Sequence, residues 1–303
     1  YGLRLNSVLC LHWGTGRFNP YLDESSLSNF YTHIYRQMYG MDIQKGSYNQ
    51  YFLSQRSYAQ KILSISQNFL PPESWICEVG CGGGGALKFF QEQGYQVAGC
   101  DYDVAALHFG RQQGVPNLFY GSLDAIGKNL AGIQFDLIYL HHVFEHVSDP
   151  VLFLKNCQFY LKSTGKIMIV VPDISRIDQF GHPPAIGNLL MYLHIAHKYN
   201  FSLEGIQRIG QEAGYQVTPI RTHLNLRTPW SESPEMWLQM TKQTSVSPIH
   251  SGPVKPAGHK MLQYLQKTEK LYTRGLCKGQ IINKFKQLRS PQKVFNKIQR
   301  SFS

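Results

Sequence analysis

At 303 residues the chain is long enough for one α/β domain of about 200 residues with appendages. Its 43% apolar and 16% charged residues are those of a soluble globular protein, and no apolar run approaches the roughly 18 to 20 residues that a transmembrane helix needs. The formal charge of +11 is uneven: 12 of the 30 Lys and Arg, but only Glu269 of the 19 acids, lie in 255–303, so the body is neutral and the tail basic.

The N-terminal stretch lacks the long apolar core of a signal peptide. The six cysteines (Cys10, Cys77, Cys81, Cys100, Cys157, Cys277) follow no disulfide framework, which suits free thiols in a reducing compartment. The expectation is a cytoplasmic protein.

In chain order, residues 1–30 read as irregular. Residues 27–69 read as helical, on the spacing of Phe30, Ile34, Tyr35, Met38, Tyr51, Tyr58, Ile62 and Leu63, and Pro71-Pro72 ends them. From Ser74 strands and helices alternate, the pattern of a parallel sheet with helical crossovers. Strands are predicted at Trp75–Val79, Gln96–Cys100, Leu118–Tyr120, Phe135–Leu140, Lys166–Val171, Tyr215–Ile220 and Met236–Thr241. Helices are predicted at Ala86–Gln93, Val104–Gln113, Val151–Leu161 and Leu203–Ala213, with Asp149 and Ser202 as N-caps. Residues 244–258 read as a linker. The predicted organisation is an N-terminal segment 1–70, an α/β domain 71–243 and a linker with basic helical tail 244–303.

The segment ICEVGCGGGGALKFF places Glu78, Gly80, Gly82 and Gly84 two apart, between a strand and a helix. Glycines there permit positive φ and let backbone approach a ligand, and the helix N-terminus behind them offers free N–H groups. Asp101 ends the next strand about 20 residues on, where an acid grips a ribose hydroxyl. The dinucleotide fingerprint differs: it requires G-x-G-x-x-G and no acid two residues before.

Glu78-Val-Gly-Cys-Gly-Gly-Gly is similar to the E/D-x-G-x-G-x-G motif of class I S-adenosylmethionine-dependent methyltransferases. The resemblance continues through VAGCDYD, FDLIYLHHVFEHVSDP and LKSTGKIMIVVPD, over roughly residues 72–243. It implies a Rossmann-like seven-stranded sheet of order 3-2-1-4-5-7-6 with strand 7 antiparallel, and S-adenosylmethionine as cofactor. It also implies that Gly80, Gly82 and Gly84 approach the methionine part. Glu78 supports the turn, Asp101 binds the ribose with Tyr102 beside the adenine, and Ser122, Leu123 or Asp124 flanks the adenine.

HHVFEH (141–146) follows the fourth strand of that sheet, where open α/β sheets bind ligands. His142-x-x-Glu145-His146 matches an inverted zinc-protease pattern, but that motif needs a long helix, and here Asp149-Pro150 restarts the chain. Two readings stay open. In one, Glu145-His146 is similar to a pair that organises this loop in many methyltransferases. In the other, His141 or His142 faces the transferred methyl, as a general base or an aid to metal binding. The ubiquinone O-methyltransferases, which this loop resembles, carry an acid at the position of His142. The expected catalytic residues are therefore His142 and His141, with no metal; His141 is also expected to line the cofactor site.

Val8–Met41 resembles the region ahead of the core in sugar-linked methyltransferases with a small zinc ribbon. Trp13 stands where the second knuckle cysteine belongs, so a knuckle without zinc is expected. Gln55 and Arg56 fall where relatives reach the cofactor from the N-terminal side. Residues 173–200, with His182, His194 and His197, read as a substrate lid. The expected reaction is methyl transfer to a small acceptor, a hydroxyl of a sugar, glycan precursor or other metabolite. The alternatives are a quinone-like lipophilic acceptor or a non-catalytic cofactor- or nucleic-acid-binding protein. In the tail, Met261, Leu262, Leu265, Ile281, Phe285 and Leu288 make amphipathic faces, able to touch an anionic membrane surface or to pack on the body. The tail's aromatics make no stacking platform for nucleic acid.

Overall fold

The strand–helix alternation after Ser74 folds into one twisted sheet, seen in a computed structural model that describes residues 7–18, 26, 30, 47–175, 196–220, 235–243, 258–267, 270 and 274. In chain order the elements begin with β1 (Ser7–Leu9), β2 (Gly16–Phe18), α1 (Ser47–Ser66), β3 (Trp75–Val79), α2 (Gly85–Glu92) and β4 (Gln96–Asp101). Next come α3 (Val104–Gln112), β5 (Leu118–Tyr120), α4 (Leu123–Asn129), β6 (Phe135–His141), a 3-10 turn (Phe144–His146), α5 (Pro150–Tyr160) and β7 (Leu161–Pro172). Then follow β8 (Tyr199–Asn200), α6 (Leu203–Glu212), β9 (Tyr215–Pro219) and β10 (Glu235–Lys242).

The main sheet has seven strands in the order β5-β4-β3-β6-β7-β10-β9. The five from β5 to β7 pair in parallel, and β10 runs antiparallel to both β7 and β9. Numbered within the sheet this is 3-2-1-4-5-7-6 with strand 7 reversed, as the resemblance implied. The reversal has a consequence for the site. The N-terminal residue of β10, Glu235, pairs with Pro172 at the C-terminal end of β7, so β10 begins at the edge where the parallel strands finish.

Both faces of the sheet are covered, which is why its strands read as nearly unbroken apolar runs. Side chains alternate between the faces. Cys77, Val79, Ile138, Leu140, Ile167 and Ile169 join the layer containing Leu123 of α4, Leu154 of α5 and Ile206 of α6. Ile76, Leu137, Tyr139, Met168 and Val170 join the layer containing Phe52, Ala59 and Ile62 of α1 and Leu87 and Phe90 of α2. Each large side chain buried completely contributes about 1.5–3 kcal/mol relative to exposure. The caps expected from sequence form: Asp149 accepts from the Leu152 N–H at 2.9 Å and Ser202 from the Gly205 N–H at 3.2 Å.

Some elements differ from the sequence reading. Residues 7–18 form a hairpin instead of irregular chain, and β8 completes a three-stranded sheet with it. Its turn closes through Gly14 N–H to Cys10 O at 2.8 Å and Cys10 N–H to Thr15 O at 3.0 Å. The hairpin docks on α6, where Ser202 Oγ donates to Trp13 O at 2.8 Å. Ser163-Thr164-Gly165 lies inside the twelve-residue strand β7, beside the pairing irregularity at Phe135/Leu137, and does not precede that strand. Helix α4 has no counterpart among the predicted elements, because LDAIGKN has no clear period and its Ser122 N-cap makes no side-chain hydrogen bond. Of the expected lid, 173–200, residues 176–195 lie outside the described residues, as does most of the tail.

Candidate active site

The C-terminal ends of β3, β4 and β6 meet at the Gly-rich turn. Gly80, Gly82 and Gly84 have φ of 74°, 53° and 73°, a left-handed backbone that other residues adopt at a cost of about 1–2 kcal/mol. Close approach adds a second reason. A Cβ on Gly80 would stand 2.3 Å from Val143 Cγ2, and one on Gly82 would stand 3.0 Å from the Tyr51 ring. The turn is tied to β4 by Gly80 N–H and Cys81 N–H donating to Cys100 O at 2.8 and 3.1 Å.

Asp101 is engaged by backbone on both oxygens: Gly82 N–H donates to Oδ2 at 2.7 Å and Asp103 N–H to Oδ1 at 2.8 Å. It thus sits within reach of the turn. Tyr102 is 62% exposed and meets the exposed Tyr120 edge to face, centroids 5.8 Å apart, at the ends of β4 and β5. Leu123 is 3% exposed and belongs to the core beneath, whereas its neighbour Ser122 is exposed at the helix start.

Glu78 is buried, 3% exposed, on the face of β3 that α1 covers. Its Oε2 and the Tyr139 hydroxyl are buried and make no hydrogen bond of ordinary geometry. Burial pushes the Glu78 carboxyl well above its usual range; the Tyr139 hydroxyl opposes this and the charge of Asp101 adds to it. An incoming ammonium would reverse that balance.

Helix α1 closes this side. The Gln55 amide spans the turn, donating from Nε2 to Cys81 O at 3.0 Å and accepting from Gly85 N–H at 3.1 Å. Arg56, grouped with Gln55 in the sequence reading, turns the other way and pairs with Glu92 of α2.

The histidines after β6 meet a residue the sequence reading missed. The Glu235 side chain, 7% exposed, accepts from His142 Nε2 at 2.9 Å, from the Tyr58 hydroxyl, and at its other oxygen from Trp237 Nε1 at 3.1 Å. His141 Nε2 lies 3.8 Å from Glu235 Oε1. Tyr58 packs on His141 with centroids 3.7 Å apart and runs parallel to Trp237 at 6.1 Å. His142 has φ of 53°, held by its N–H donating to Val170 O at 2.9 Å, and its Nδ1 is 3.4 Å from Glu145 Oε1. His142 thus stands between two carboxylates. The signal for Glu235 was faint: one acid ahead of an apolar strand, 93 residues away in sequence.

The charges follow. Burial works against a charged His142, but the approach of Glu145 at 3.4 Å and the hydrogen bond to Glu235 outweigh it and raise its pKa to about 10. Burial alone would raise both partner carboxyls. The close histidines reverse this, holding Glu145 down at about 2 and, with the His142 hydrogen bond, Glu235 well below the carboxylate range. His141 is lowered, by burial first and by the charge of His142, against the pull of Glu235. The two histidines therefore divide: at neutral pH His142 is an imidazolium and His141 a neutral imidazole. Behind them His146 Nδ1–H donates to Ala196 O at 2.7 Å, and His197 Nε2 lies 3.9 Å from Glu145 Oε1, tying the loop to the chain that follows 176–195. His141, His142 and Glu235, and likewise Glu145, His146 and His197, each bring three donor atoms within 4.8 Å of one another and could hold a metal ion.

A sheet of this order with a Gly-rich turn after its central strand is that of a class I methyltransferase. A model of the methyltransferase domain matches residues 50–220, more than half of the chain. The chain belongs to that family, whose methyl donor is S-adenosylmethionine. Over 98 residues it is 33% identical to the ubiquinone biosynthesis O-methyltransferase of Acinetobacter baumannii, spanning 30% of this chain and 41% of the relative. Over 108 residues it is 33% identical to that of Coxiella burnetii, spanning 34% and 45%. The chain therefore covers less than half the length of these relatives.

Among solved structures, the plantazolicin methyltransferase BpumL, in complex with a monoazolic desmethylPZN analog and SAH, superposes with a TM-score of 0.52. The match spans 72% of this chain and 97% of BpumL at 16% identity. BamL, in complex with a triazolic analog and SAH, gives 0.51 over 72% and 94% at 12% identity. At these identities the likeness is one of fold.

Proposed function

We propose that this protein transfers the methyl group of S-adenosylmethionine to a hydroxyl of a small acceptor, a sugar, glycan precursor or other metabolite. The observation that carries the reading is the buried, unpartnered Oε2 of Glu78 beside three left-handed glycines. An ammonium is the group such an oxygen fits, and the methionine end of the cofactor brings one. Gly80, Gly82 and Gly84 approach that end, Asp101 takes the ribose, and Tyr102 flanks the adenine with Tyr120. Leu123 supports the adenine side from the core, leaving contact to its exposed neighbour Ser122. The cofactor, when bound, supplies a methyl already activated by its sulfonium charge.

The chain's own residues position the acceptor, exclude water and take a proton. The acceptor's O–H bond breaks as its O–CH3 bond forms; the S–CH3 bond breaks and a neutral thioether leaves. His141 suits the proton because it is held neutral, whereas His142, expected from sequence to do this, already carries one. Oxygen as acceptor is supported by the curated relatives being O-methyltransferases. A quinone-like aromatic acceptor is the second reading, favoured by the rings of Tyr58 and Trp237 beside His141.

Titration calorimetry should show S-adenosylmethionine and S-adenosylhomocysteine binding, with no heat from NAD. Gly82→Val, which forces φ of 53° on a branched residue and meets Tyr51, should lose it. Methyl-labelled cofactor offered with sugars, glycan precursors and lipophilic phenols then separates the two acceptor classes. Heat from NAD alone would end the reading.

A further inference from the structure

One face of α1 lies against the Gly-rich turn and the loop after β6. Tyr48, Tyr51, Gln55 and Tyr58 follow one another at steps of three and four residues, which stacks them on one side of the helix. Their contacts run in chain order. The Tyr48 hydroxyl donates to Asp103 Oδ2 at 3.4 Å, two residues past Asp101. Gln55 bridges Cys81 and Gly85, and Tyr58 bonds Glu235. Between them the half-buried Tyr51 stands over Gly82, the middle of the three left-handed glycines. A Cβ on Gly82 would lie 3.0 Å from Tyr51 Cε1 and 3.8 Å from its hydroxyl.

The methionine end of S-adenosylmethionine carries a carboxylate as well as an ammonium. Glu78 suits the ammonium, and its charge and that of Asp101 repel the carboxylate, which therefore needs hydrogen-bond donors of its own. The backbone of the turn has largely committed its donors. Gly80 and Cys81 N–H donate to Cys100 O, and Gly84 N–H donates to Cys81 O. Gly82 N–H donates to Asp101 and Gly85 N–H to Gln55. Of residues 80–85, only Gly83 stands outside this set. The side chains of α1 are committed in the same way. The Gln55 amide is engaged at both its oxygen and its nitrogen, and the Arg56 guanidinium pairs with Glu92. Tyr51 is the residue of this face that brings an O–H donor to Gly82.

We infer that the Tyr51 hydroxyl is a cofactor contact, donating to the carboxylate of the methionine end while Glu78 takes the ammonium. This rests on the methyltransferase reading above. The two charges of the amino-acid end are then read by different elements, the ammonium by β3 and the carboxylate by α1. Helix α1 thus recognises the ligand as well as holding the turn. A hydrogen bond from a hydroxyl to a charged acceptor contributes roughly ten- to a hundredfold in affinity. A ligand without the carboxylate forgoes that contribution and keeps the rest.

Titration calorimetry separates this contact from mere packing of the ring. The probes are S-adenosylhomocysteine, its decarboxylated analogue, which keeps the ammonium, and its deaminated analogue, which keeps the carboxylate. Tyr51→Phe leaves the ring on Gly82 and removes only the hydroxyl. It should weaken S-adenosylhomocysteine and the deaminated analogue about ten- to a hundredfold, and leave the decarboxylated analogue within about threefold of wild type. Equal losses on all three ligands would assign Tyr51 to packing and overturn the inference. A Tyr51→Phe protein that binds S-adenosylhomocysteine like wild type would overturn it too. So would a wild type that binds the decarboxylated analogue as tightly as S-adenosylhomocysteine, a result that needs no variant to fold. If the wild type binds none of the three, the methyltransferase reading itself fails and takes this inference with it.

Discussion

At the scale of single residues, the His142 charge has a sign that can be followed. Its pKa, about 10 in the fold, lies above the ordinary histidine value of about 6.5. Its stabilising contribution is therefore complete below about pH 6.5 and is lost as pH rises through 10. Glu145, lowered to about 2, contributes fully above the ordinary glutamate value of about 4.3 and loses its contribution as pH falls through 2. His141 is held neutral and opposes folding on the acid side, below its ordinary pKa. The centre is thus predicted to stabilise most near about pH 6.5, to lose stability on the acid side as His141 resists protonation, and to weaken steadily toward pH 10. Thermal unfolding across pH 5–10 should show that alkaline decline in the wild type, and His142→Gln should flatten it. A decline of equal slope in His142→Gln would place the sensitivity elsewhere.

At the scale of elements, α1 does more than cover the sheet. The amide of Gln55 satisfies a carbonyl and an N–H of the Gly-rich turn, so the helix holds the turn in its left-handed conformation. Two residues at adjacent positions make a comparison possible. Gln55→Ala leaves the buried Gly85 N–H without a partner, while Cys81 O keeps the bond from Gly84 N–H, and should cost about 1–3 kcal/mol, with weaker cofactor binding. Arg56→Ala removes an exposed ion pair with Glu92 and should cost about 0–1 kcal/mol, with binding intact. Chemical denaturation and calorimetry on both variants measure this. Equal effects would mean that Gln55 does not hold the turn. Sequence periodicity located the helix, but which of these neighbours faced the turn depended on its rotation against α2.

For the whole molecule, the basic tail is the open feature. In the described helix 258–267, Gly258 and Met261 are buried, and a Cβ on Gly258 would meet the Leu11 backbone at 2.3 Å, so the tail begins by packing on the N-terminal hairpin. Lys260 and Lys267 stay exposed. Ile281, Phe285 and Leu288 lie outside the described residues. No helix among the described residues is long and apolar enough to cross a membrane. We propose that the tail adds a weak attachment to anionic lipid at most, each Lys or Arg near the surface contributing about 1 kcal/mol. Sedimentation with anionic vesicles should show salt-sensitive binding by the full chain and none by one ending near Lys255. Both chains remaining in the supernatant at low salt would leave the tail as a packing or partner-binding element.

The sequence alone determined what depends on local order along the chain. Strand–helix alternation, unbroken apolar strands, the spacing of Glu78, Gly80, Gly82 and Gly84, and Asp101 at the end of the next strand were all legible, because each is set by neighbours within about 20 residues. The seven-stranded order followed from the family resemblance of those motifs. Tertiary structure decided the chemistry of the histidine loop. His141 and His142 are adjacent and identical in type, so nothing local separates them. Glu235, brought in by the antiparallel return of β10, bonds to one and only approaches the other; with Glu145 it keeps His142 charged while burial keeps His141 neutral. A pairing across 93 residues is invisible to periodicity, and it is the electrostatic field of such pairings that sets which nitrogen holds a proton.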